Sequence, residues 1–496
     1  MAWERSSAAA WRTRQYGHLP VVEQITVTLD AGERREIARL AGRIRRRAPR
    51  LAADDEYGPA VRVGLGRGPG FFLHDTAGVQ RVLDAELSAL EYRPLALAGA
   101  GDCLAICGNR VPAYEDYCRD VLGLGDVEVL RARSSAPGAP LATRCRTDPE
   151  VLGRLAAIAR LHGGMTVHPY ISSGPVWQLA AAIAERAGAP IHVAAPLPRL
   201  ARCVNDKLWF AKRTAELLGE RSLPPGAKAR DLPSLARHVA ALGREHAEIV
   251  IKLPSAAGSR GNVVIASEQV RGRSDEALRH FLDDLLAGLG WRRAFPLLVS
   301  AWESPVVMSP SVQLWIPPAE DGPPIVEGIF EQRTTGVAGT FIGAIPASLP
   351  RHVEARIAGE AVILGTYFQE LRYFGRCSFD AILVGHDVAT AALHWVECNG
   401  RWGGTSTPMT LVNRLVGDWT AAPFETVAPD WPLRISFTEA LERTADRLYR
   451  PGDRAGIVFV SPGDVVAGTG LQFVAVAETL EAACAGAYRA NEALRS

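Results

Sequence analysis

The first two hundred residues alternate short apolar runs with longer amphipathic stretches. A strand-like run at 21–29 and a basic amphipathic helix at 32–48 come first. The runs that follow lie near 60–63, 103–107, 127–132, 165–171 and 191–196, with helix-like segments at 149–162 and 175–187. Alternation of this kind is typical of βαβ units. We therefore predict an open α/β domain over residues 1–200.

The pattern changes after Pro198. A helix is expected to begin near Asn205 and run to about residue 218, followed by a helix at 232–246, a strand at 248–254 and a helix at 275–289. Successive short strands then extend from 297 to 346, before a helix at 351–372 and two further strands. These elements predict a second domain over 201–425, made of two α+β halves at 201–300 and 301–425.

The tail resembles a small unit of its own. The proline-containing segment at 422–432 is typical of a linker, and a helix, two strands and a final helix follow it. The sequence therefore predicts a small α/β appendage over 426–496. The glycine-rich turn at 60–70 does not fit the GxGxxG spacing of a dinucleotide-binding loop, so we interpret it as a strand and a turn.

Composition and charge exclude several classes of protein. The formal net charge is +1, whereas proteins that bind nucleic acid by counterion release usually carry a large basic excess. No run of 18 apolar residues predicts a membrane span, and the N-terminal residues lack the apolar core of a secretory signal. None of the eight cysteines forms a CxxC pair. We therefore expect a cytoplasmic protein with reduced thiols and without nucleic-acid or membrane partners.

Lysine is rare in this chain. Only four of the 55 basic residues are lysines, at positions 207, 212, 228 and 252. Lysine is a compact point charge on a thin stem, whereas arginine is a broad planar fork. We therefore expect the retained lysines to be enriched at positions that arginine cannot fill. Lys228, in the predicted loop SLPPGAKAR, is instead interpreted as an ordinary surface lysine.

One lysine stands inside an apolar strand. Lys252 ends the run EIVIK, and small residues follow it, namely Ser255, Gly258, Ser259 and Gly261. A lysine in such a strand is costly unless an opposite charge neutralises it, and small residues let backbone N–H groups approach an anion. A polyphosphate would suit this pattern. A lysine that reaches solvent beside an ordinary hairpin would also produce it.

Polar residues alternate along the last predicted strand of the second domain. Glu397, Asn399 and Arg401 share one face if the strand is regular, while Val396 and Cys398 would face the core. Carboxylate and amide oxygens are ligands that Mg²⁺ prefers, and Asp380 on the preceding strand could add another carboxylate. A solvent-facing edge strand is the alternative interpretation.

Taken in order, these features resemble the ATP-grasp superfamily over about 200–415. The first lysine is Lys207 in VNDKLWFAK, and the second is Lys252, which is followed by the glycine- and serine-rich loop. A hinge-like segment SAWESP, an acidic strand residue and the ExNxR motif then complete the series. GRCSFD is also similar to a loosened Gly-Arg-x-Asp of D-alanine ligases, with Arg376 as its arginine. The α/β domain before this region, GGTSTP after it and the tail resemble carboxylate–amine peptide ligases of the pheganomycin type.

The resemblance implies a set of roles for named residues. Lys207 and Lys252 would neutralise phosphates of ATP, the 255–262 loop would close over them, and Glu303 would lie against adenine. The metal ligands would be Asp380, Glu397 and Asn399, which would hold two Mg²⁺ ions that Mn²⁺ could replace. Arg401, Lys252 and Arg376 would be catalytic, and Arg333 would hold the substrate carboxylate or lie free on the surface.

The function implied is condensation of a carboxylate, such as an amino acid, with an amine or peptide. ATP would be spent to ADP and phosphate through an acylphosphate, in the synthesis of a specialised peptide metabolite such as an antibiotic. A homodimer would be compatible with this activity. Two alternatives stay open. One is an ATP-grasp kinase or an enzyme that forms a lactone or ester, and the other is a non-catalytic nucleotide-binding protein.

Overall fold

The protein is described by a computed structural model that covers residues 2–5, 13–16, 19–51, 53, 55–76, 90–133, 138–252, 261–291, 294–337 and 339–496. The described residues among the first fifty include four short strands and one α-helix. These are β1 (Ala2–Arg5), β2 (Thr13–Tyr16), β3 (Leu19–Val22), β4 (Ile25–Thr28) and α1 (Ala31–Arg47). Asp30 caps α1, since its side chain accepts the Glu33 N–H while Glu33 accepts the Asp30 N–H.

A six-stranded parallel sheet follows. Its strands are β5 (Val61–Val63), β6 (Gly70–Leu73), β7 (Cys103–Ile106), β8 (Glu128–Arg131), β9 (Met165–Pro169) and β10 (Ile191–Val193). Their spatial order is β5-β10-β9-β6-β7-β8. Helices cover the sheet, namely α2 (Pro112–Asp116), α3 (Leu141–Thr147), α4 (Pro149–His162) and α5 (Gly174–Ala187). The predicted open α/β layer is confirmed, with an apolar interior typical of parallel sheets.

A four-stranded antiparallel sheet carries the second lysine. It contains β11 (Gly226–Ala229), β12 (Glu248–Lys252), β13 (Asn262–Ala266) and β14 (Leu297–Ala301) in the order β11-β14-β12-β13. Before this sheet the chain forms α6 (Pro198–Val204) and α7 (Lys207–Leu218), and the helices between its strands are α8 (Leu232–Glu245) and α9 (Asp275–Gly288). Apolar faces of α8 and α9 pack on this sheet and form a core separate from the others. Lys228 lies exposed on β11 and not in the loop that we predicted.

A large antiparallel sheet holds the predicted metal-site strands. Its strands after residue 300 are β15 (Val306–Met308), β16 (Pro310–Ile316), β17 (Ile325–Thr335), β18 (Thr340–Pro346), β19 (Gly375–Val384), β20 (Ala392–Asn399), β21 (Phe424–Val427), β22 (Gly456–Asp464) and β23 (Thr469–Val476). The main path is β15-β19-β16-β17-β18-β21-β23-β22, and β20 pairs with β19. Helix α10 (Arg351–Glu370) buries its apolar residues against this sheet and α1. That packing fixes β19 and β20 in place.

The tail extends the large sheet. Strand β21 falls inside the segment 422–432 that we had interpreted as a linker, and it pairs with β18 and β23. The remaining helices are α11 (Ser406–Val416), α12 (Phe437–Arg443) and α13 (Leu480–Arg495). The Tyr114 hydroxyl of the parallel-sheet domain donates to the Val460 carbonyl at 2.7 Å, so the tail contacts both domains. The exact domain boundaries stay a prediction.

Among the helices of the described residues, none is both long enough and apolar enough to span a membrane.

Candidate active site

Two lysines reach one site from different elements. Lys207 is the first residue of α7, whose start is fixed because Asp206 accepts the Trp209 N–H at 2.9 Å. Lys252 is the last residue of β12. Lys207 is 5% exposed and Lys252 is 6% exposed. Two buried ammonium groups in one site require anions to compensate them.

The acidic residues come from neighbouring strands of the large sheet. Asp380 on β19 lies directly opposite Glu397 on β20, and Ser378 lies opposite Asn399. The Asn399 amide nitrogen donates to Asp380 Oδ2 at 2.7 Å, and the Ser311 hydroxyl donates to Asp380 Oδ1 at 2.6 Å. The structure therefore brings the three predicted metal ligands together on adjacent strands.

The two carboxylates differ in their ionisation. Burial, and next the negative charge of Glu397, raise the pKa of Asp380 to about 7. Burial also acts against the charged form of Glu397, but Lys207 and then Arg401 hold the pKa of Glu397 below its ordinary value. Lys207 Nζ lies 3.1 Å from Glu397 Oε2. Asp380 thus carries a charge that the protein alone does not fully compensate.

Lys252 is also poorly compensated. Burial, and next the positive charge of Lys207, lower the pKa of Lys252 to about 8, although Glu397 and Glu303 oppose this shift. A buried lysine that repels a second lysine is typical of a site prepared for a polyanion. The excess positive charge of these two lysines is therefore what a bound phosphate group would neutralise.

Arg401 lies just beyond the end of β20. Its Nη1 donates to Asn205 Oδ1 at 2.6 Å, and its Nε donates to the Tyr170 hydroxyl at 3.3 Å. Asn205 also accepts the Gly400 N–H at 3.1 Å, so the turn after β20 is held by α6. These contacts orient the guanidinium. Burial acts against its charge, but Tyr170 and then Glu397 hold the pKa of Arg401 above its ordinary value.

Glu303 meets a histidine that the motif did not reveal. His394 Nδ1 lies 2.6 Å from Glu303 Oε2. The register of β19 and β20 shifts between Asp380 and Ala381, where the pairing skips Val396. Such a bulge reverses the alternation of faces along the strand. His394 therefore joins Glu397 on the site face, while Trp395 is buried.

Arg376 has close partners of its own. It is 4% exposed, forms an ion pair with the fully buried Glu327, and donates from Nη2 to Thr410 Oγ1 at 3.0 Å. Its guanidinium lies 5.3 Å from the ring centre of Trp315 and 5.0 Å from that of Trp402. Arg376 is thus surrounded by protein groups, and its predicted catalytic role stays untested.

Two further expectations concern residues at the edge of the site. Arg333 is exposed on β17, and its Nε lies 3.4 Å from Glu425 Oε1. Ser255, Gly258 and Ser259 lie outside the described residues, while Gly261 is buried at the start of the segment that leads into β13. The predicted phosphate loop and the predicted role of Arg333 both stay predictions.

The donor set fits a hard cation. Asp380 and Glu397 offer carboxylate oxygens, and Asn399, whose amide nitrogen donates to Asp380, offers an amide oxygen. Burial, and next repulsion from Glu397, raise the pKa of Asp380, and a divalent cation would offset both effects. Within the described parts of the chain, no group of three His, Cys, Asp or Glu residues could hold a metal. A cation here would therefore need ligands from elsewhere, such as phosphate oxygens.

Sequence reasoning missed four supporting residues: Asn205, Tyr170, Ser311 and His394. Asn205 and Tyr170 lie 196 and 231 positions from Arg401, and only the packing of the domains brings them together. Tyr170 lies near the end of the predicted strand at 165–171, at the edge of the sheet where ligands usually bind, and this position was the one available signal. Nothing in the sequence pattern marks the bulge that turns His394 into the site.

Family models match two segments of the chain. Residues 91–184 match a model described as the Pre ATP-grasp domain, and residues 439–485 match one described as the PGM1 C-terminal domain. A comparison with curated proteins found no match. The first match confirms the predicted pre-ATP-grasp fold for residues 91–184, while the bounds 1–200 stay a prediction.

Solved structures extend the likeness to most of the chain. The ADP complex of N5-carboxyaminoimidazole ribonucleotide synthetase, purK, is 13% identical, with a TM-score of 0.52 over 88% of this chain and 100% of that one. The synthetase from Thermus thermophilus is 15% identical, with a TM-score of 0.51 over 86% and 98%. A biotin carboxylase β-γ-ATP complex from Campylobacter jejuni is 11% identical, with a TM-score of 0.51 over 85% of this chain and 90% of that one. These likenesses confirm the ATP-grasp fold.

Proposed function

We propose that this chain is an ATP-dependent carboxylate–amine ligase that releases ADP and phosphate. One observation carries the proposal. Lys207, Lys252, Asp380, Glu397, Asn399 and Arg401 come from three separate parts of an ATP-grasp fold and meet in a single site. The buried lysines need an anion, and the paired carboxylates need a cation. Magnesium–ATP meets both needs at once.

The fold neighbours support the choice of nucleotide. The purK synthetase was solved with ADP, and the Campylobacter jejuni biotin carboxylase was solved as a β-γ-ATP complex. In this chain, Lys207 and Lys252 would neutralise the phosphates. The loop that contains Ser255, Gly258, Ser259 and Gly261 would cover them and exclude water. Glu303, in the segment after β14, would lie beside adenine.

The metal and the arginine have separate tasks. Asp380, Glu397 and Asn399 would hold Mg²⁺, which when bound offsets charge on the phosphates. We propose two ions, with Mn²⁺ able to replace them. Arg401 has a fixed guanidinium because Asn205 and Tyr170 hold it. It would stabilise negative charge on the transferring phosphoryl group and on the tetrahedral intermediate.

The proposed chemistry has two steps. First, a carboxylate oxygen attacks the terminal phosphorus of ATP, the bond to the ADP oxygen breaks, and an acylphosphate forms. Next, an amine nitrogen attacks the carbonyl carbon, phosphate leaves with the C–O bonding electrons, and the nitrogen loses a proton. The product is an amide. Lys252 would bind phosphate throughout, and Arg333 is proposed to hold the substrate carboxylate.

The acceptor is proposed to be an amine or a short peptide, in the synthesis of a specialised peptide metabolite. The resemblance to pheganomycin-type peptide ligases rests on three parts: a domain before the ATP-grasp region, that region itself and a small C-terminal unit. The match of residues 439–485 to the PGM1 C-terminal domain supports the third part. In this structure the tail touches the site region, because the Gln472 amide donates to the Gly404 carbonyl at 3.0 Å. The tail can therefore help to shape the surface that an acceptor meets.

Hydroxylamine offers a direct test, since it intercepts acylphosphates whatever the natural amine is. A panel of amino acids and other small carboxylates is incubated with ATP, Mg²⁺ and hydroxylamine, and ADP and hydroxamate are measured. The proposal predicts equal amounts of both for at least one carboxylate. Glu397→Gln should lose both products, whereas Glu245→Gln, at the exposed end of α8, should keep them.

The same assay separates the alternatives. A kinase that phosphorylates a hydroxyl group would release ADP without hydroxamate, and a lactone-forming enzyme would give a product that contains no amine. Mass analysis of the product formed with an amine identifies the amide. Absence of ADP release with every carboxylate and amine pair, despite ATP binding, would favour a non-catalytic nucleotide-binding protein and contradict the proposal.

A further inference from the structure

A short turn joins β20 to α11 and contains Arg401. We call residues 400–404 the Arg401 turn. Two of its N–H groups bind to neighbours along the chain: that of Arg401 donates to the Asn399 carbonyl at 2.9 Å, and that of Gly403 donates to the Ser406 hydroxyl at 2.7 Å. These local bonds set the shape of the turn. Its position relative to the rest of the site depends on contacts from elsewhere in the fold.

The first half of the turn is held from the side of the parallel sheet. Asn205, at the end of α6, accepts the Gly400 N–H at 3.1 Å. The Tyr170 carbonyl, just after β9, accepts the Trp402 N–H at 3.1 Å. The side chains of Asn205 and Tyr170 also accept hydrogen bonds from the Arg401 guanidinium. The same two residues therefore hold both the backbone and the functional group of this half of the turn.

The tail holds the other end of the turn. Gln472 on β23 is 1% exposed, and its amide nitrogen donates to the Gly404 carbonyl at 3.0 Å. Gly404 also packs closely against β18, since a Cβ atom built on this glycine would lie 2.7 Å from Phe341 Cε1. The end of the turn is thus confined between a strand of the tail and a strand of the large sheet.

Packing alone does not account for a glutamine at this position. The Gln472 Oε1 atom is buried and has no hydrogen-bond partner among the residues that the structure describes. Burying an amide oxygen in this way destabilises a fold, and an apolar side chain would avoid the loss. The neighbours of Gln472 on β23, Leu471 and Phe473, are apolar and buried. The bond to Gly404 is therefore the contribution that distinguishes Gln472 from its neighbours.

We propose that Gln472 is a positioning residue for Arg401, which makes the tail a working part of the active site. This inference rests on the proposed function. Without the bond from Gln472, the end of the turn at Gly404 can move, and Arg401 moves with it. A displacement of about 1 Å at a group that stabilises a transition state can cost roughly 100-fold in rate. Lys207 and Lys252 lie on other elements, so nucleotide binding does not depend on this bond.

Turnover and nucleotide binding, measured together, separate positioning from packing. Gln472→Met keeps the length of the side chain and removes the amide. With the most active carboxylate of the panel, kcat for ADP and hydroxamate formation should fall at least about tenfold. The Kd for magnesium–ATP, measured by calorimetry, should stay within about twofold of the parent value, since the phosphate-binding lysines are untouched. The calorimetric stoichiometry counts folded molecules, so a loss of activity through unfolding is recognised.

A second variant and a matched control accompany this substitution. Gln472→Asn moves the amide back by one methylene group and should give the same pattern, which keeps the test valid if the methionine variant does not fold. Gln369→Met is the control, because the Gln369 amide nitrogen donates to the Pro317 and Gly322 carbonyls at 2.8 Å each. Those carbonyls belong to a connection that carries none of the assigned site residues, so the control should keep the parent kcat.

A double-mutant cycle tests whether Gln472 acts through Arg401. In an Arg401→Lys background, Gln472→Met should change kcat by less than about twofold, because the guanidinium that it positions is gone. The assignment is overturned if the two losses multiply, if the folded Gln472 variants keep the parent kcat, or if magnesium–ATP affinity falls as much as kcat. Failure of the parent protein to turn over any carboxylate would contradict the proposed function itself, whereas parent turnover with unaffected Gln472 variants would contradict only the positioning role.

Discussion

Two ion pairs that each include a residue of the large sheet differ in what surrounds them. Arg376 and Glu327 have side chains that are 2% and 0% exposed, and aromatic rings close over the arginine. Lys207 is 5% exposed, but its partner Glu397 is 26% exposed. The first pair is sealed, and the second is open on its carboxylate side.

The two pairs also differ in charge compensation, which is complete at the sealed pair and incomplete at the open pair. Arg376 and Glu327 cancel each other. Beside Lys207 and Glu397 stand Asp380, with a pKa raised to about 7, and Lys252, with a pKa lowered to about 8. Both shifts show charges that the folded chain leaves partly uncompensated. The contrast teaches that burial alone does not identify a binding site, whereas burial combined with uncompensated charge does.

The largest expected effect is on stability at the sealed pair. Glu327→Gln would leave the Arg376 charge buried without a counter-charge, and breaking such a pair typically costs about 3–5 kcal/mol. The first unfolding transition in urea measures this cost. Glu478→Gln is the matched control, because its exposed pair with Arg454 should contribute less than about 1 kcal/mol. If both variants lost the same small amount of unfolding free energy, the distinction between sealed and exposed pairs would be contradicted.

At the open pair, the expected loss is of activity and not of stability. Glu397→Gln and Asn399→Ala remove hard oxygen ligands, so each should lower kcat by at least about 100-fold. Circular dichroism should show an unchanged fold, since Glu397 is partly solvated. ADP release measures turnover. Normal rates in either variant would contradict the metal assignment.

A smaller effect is expected from a change that preserves charge. Lys252→Arg should raise the apparent KM for ATP at least tenfold, about 1.4 kcal/mol, because a guanidinium is too wide for the buried end of β12. Lys228→Arg, on the exposed edge strand β11, should leave the apparent KM for ATP unchanged. Initial rates at varied ATP test both swaps together. If both variants match the parent, the retention of lysine carries no functional signal.

The smallest effect concerns pH. The pKa of Lys252 lies near 8 in the free protein, below its ordinary value of 10.5, so this ammonium is charged below pH 8 and loses its proton above it. If phosphate requires the charged form, the Kd for ATP should rise about fourfold between pH 7 and 8.5. Lys252→Arg should bind more weakly but with a flat profile over that range. A parent profile as flat as that of the variant would show that Lys252 does not titrate at the nucleotide site.

The sequence predicted the order of the site residues but not their neighbours. Lys207, Lys252, Asp380 and the ExNxR motif lie on elements that apolar periodicity reveals, so their strands and helices could be placed within a few residues. The pairing of Arg376 with Glu327 could not be foreseen, because the two lie on different strands with β16 between them.

Irregular backbone accounts for other misses. Strict alternation along β20 places Val396 in the core, but the bulge opposite Asp380 and Ala381 moves Trp395 there and turns His394 to the site. The segment at 422–432 contains three prolines and was interpreted as a linker, yet its central residues pair with β18 and β23. Strand pairing with distant residues overrides a local signal of this kind.

Calorimetric titration of ATP in the presence and absence of Mg²⁺ tests most directly whether the open pair belongs to a nucleotide site. The parent protein should bind ATP with Mg²⁺ present and lose most of the affinity without it, and Glu397→Gln should bind weakly under both conditions. Glu478→Gln should match the parent. Absence of ATP binding by the parent protein with Mg²⁺ present would contradict the assignment of Lys207, Lys252 and Glu397 to a magnesium–ATP site.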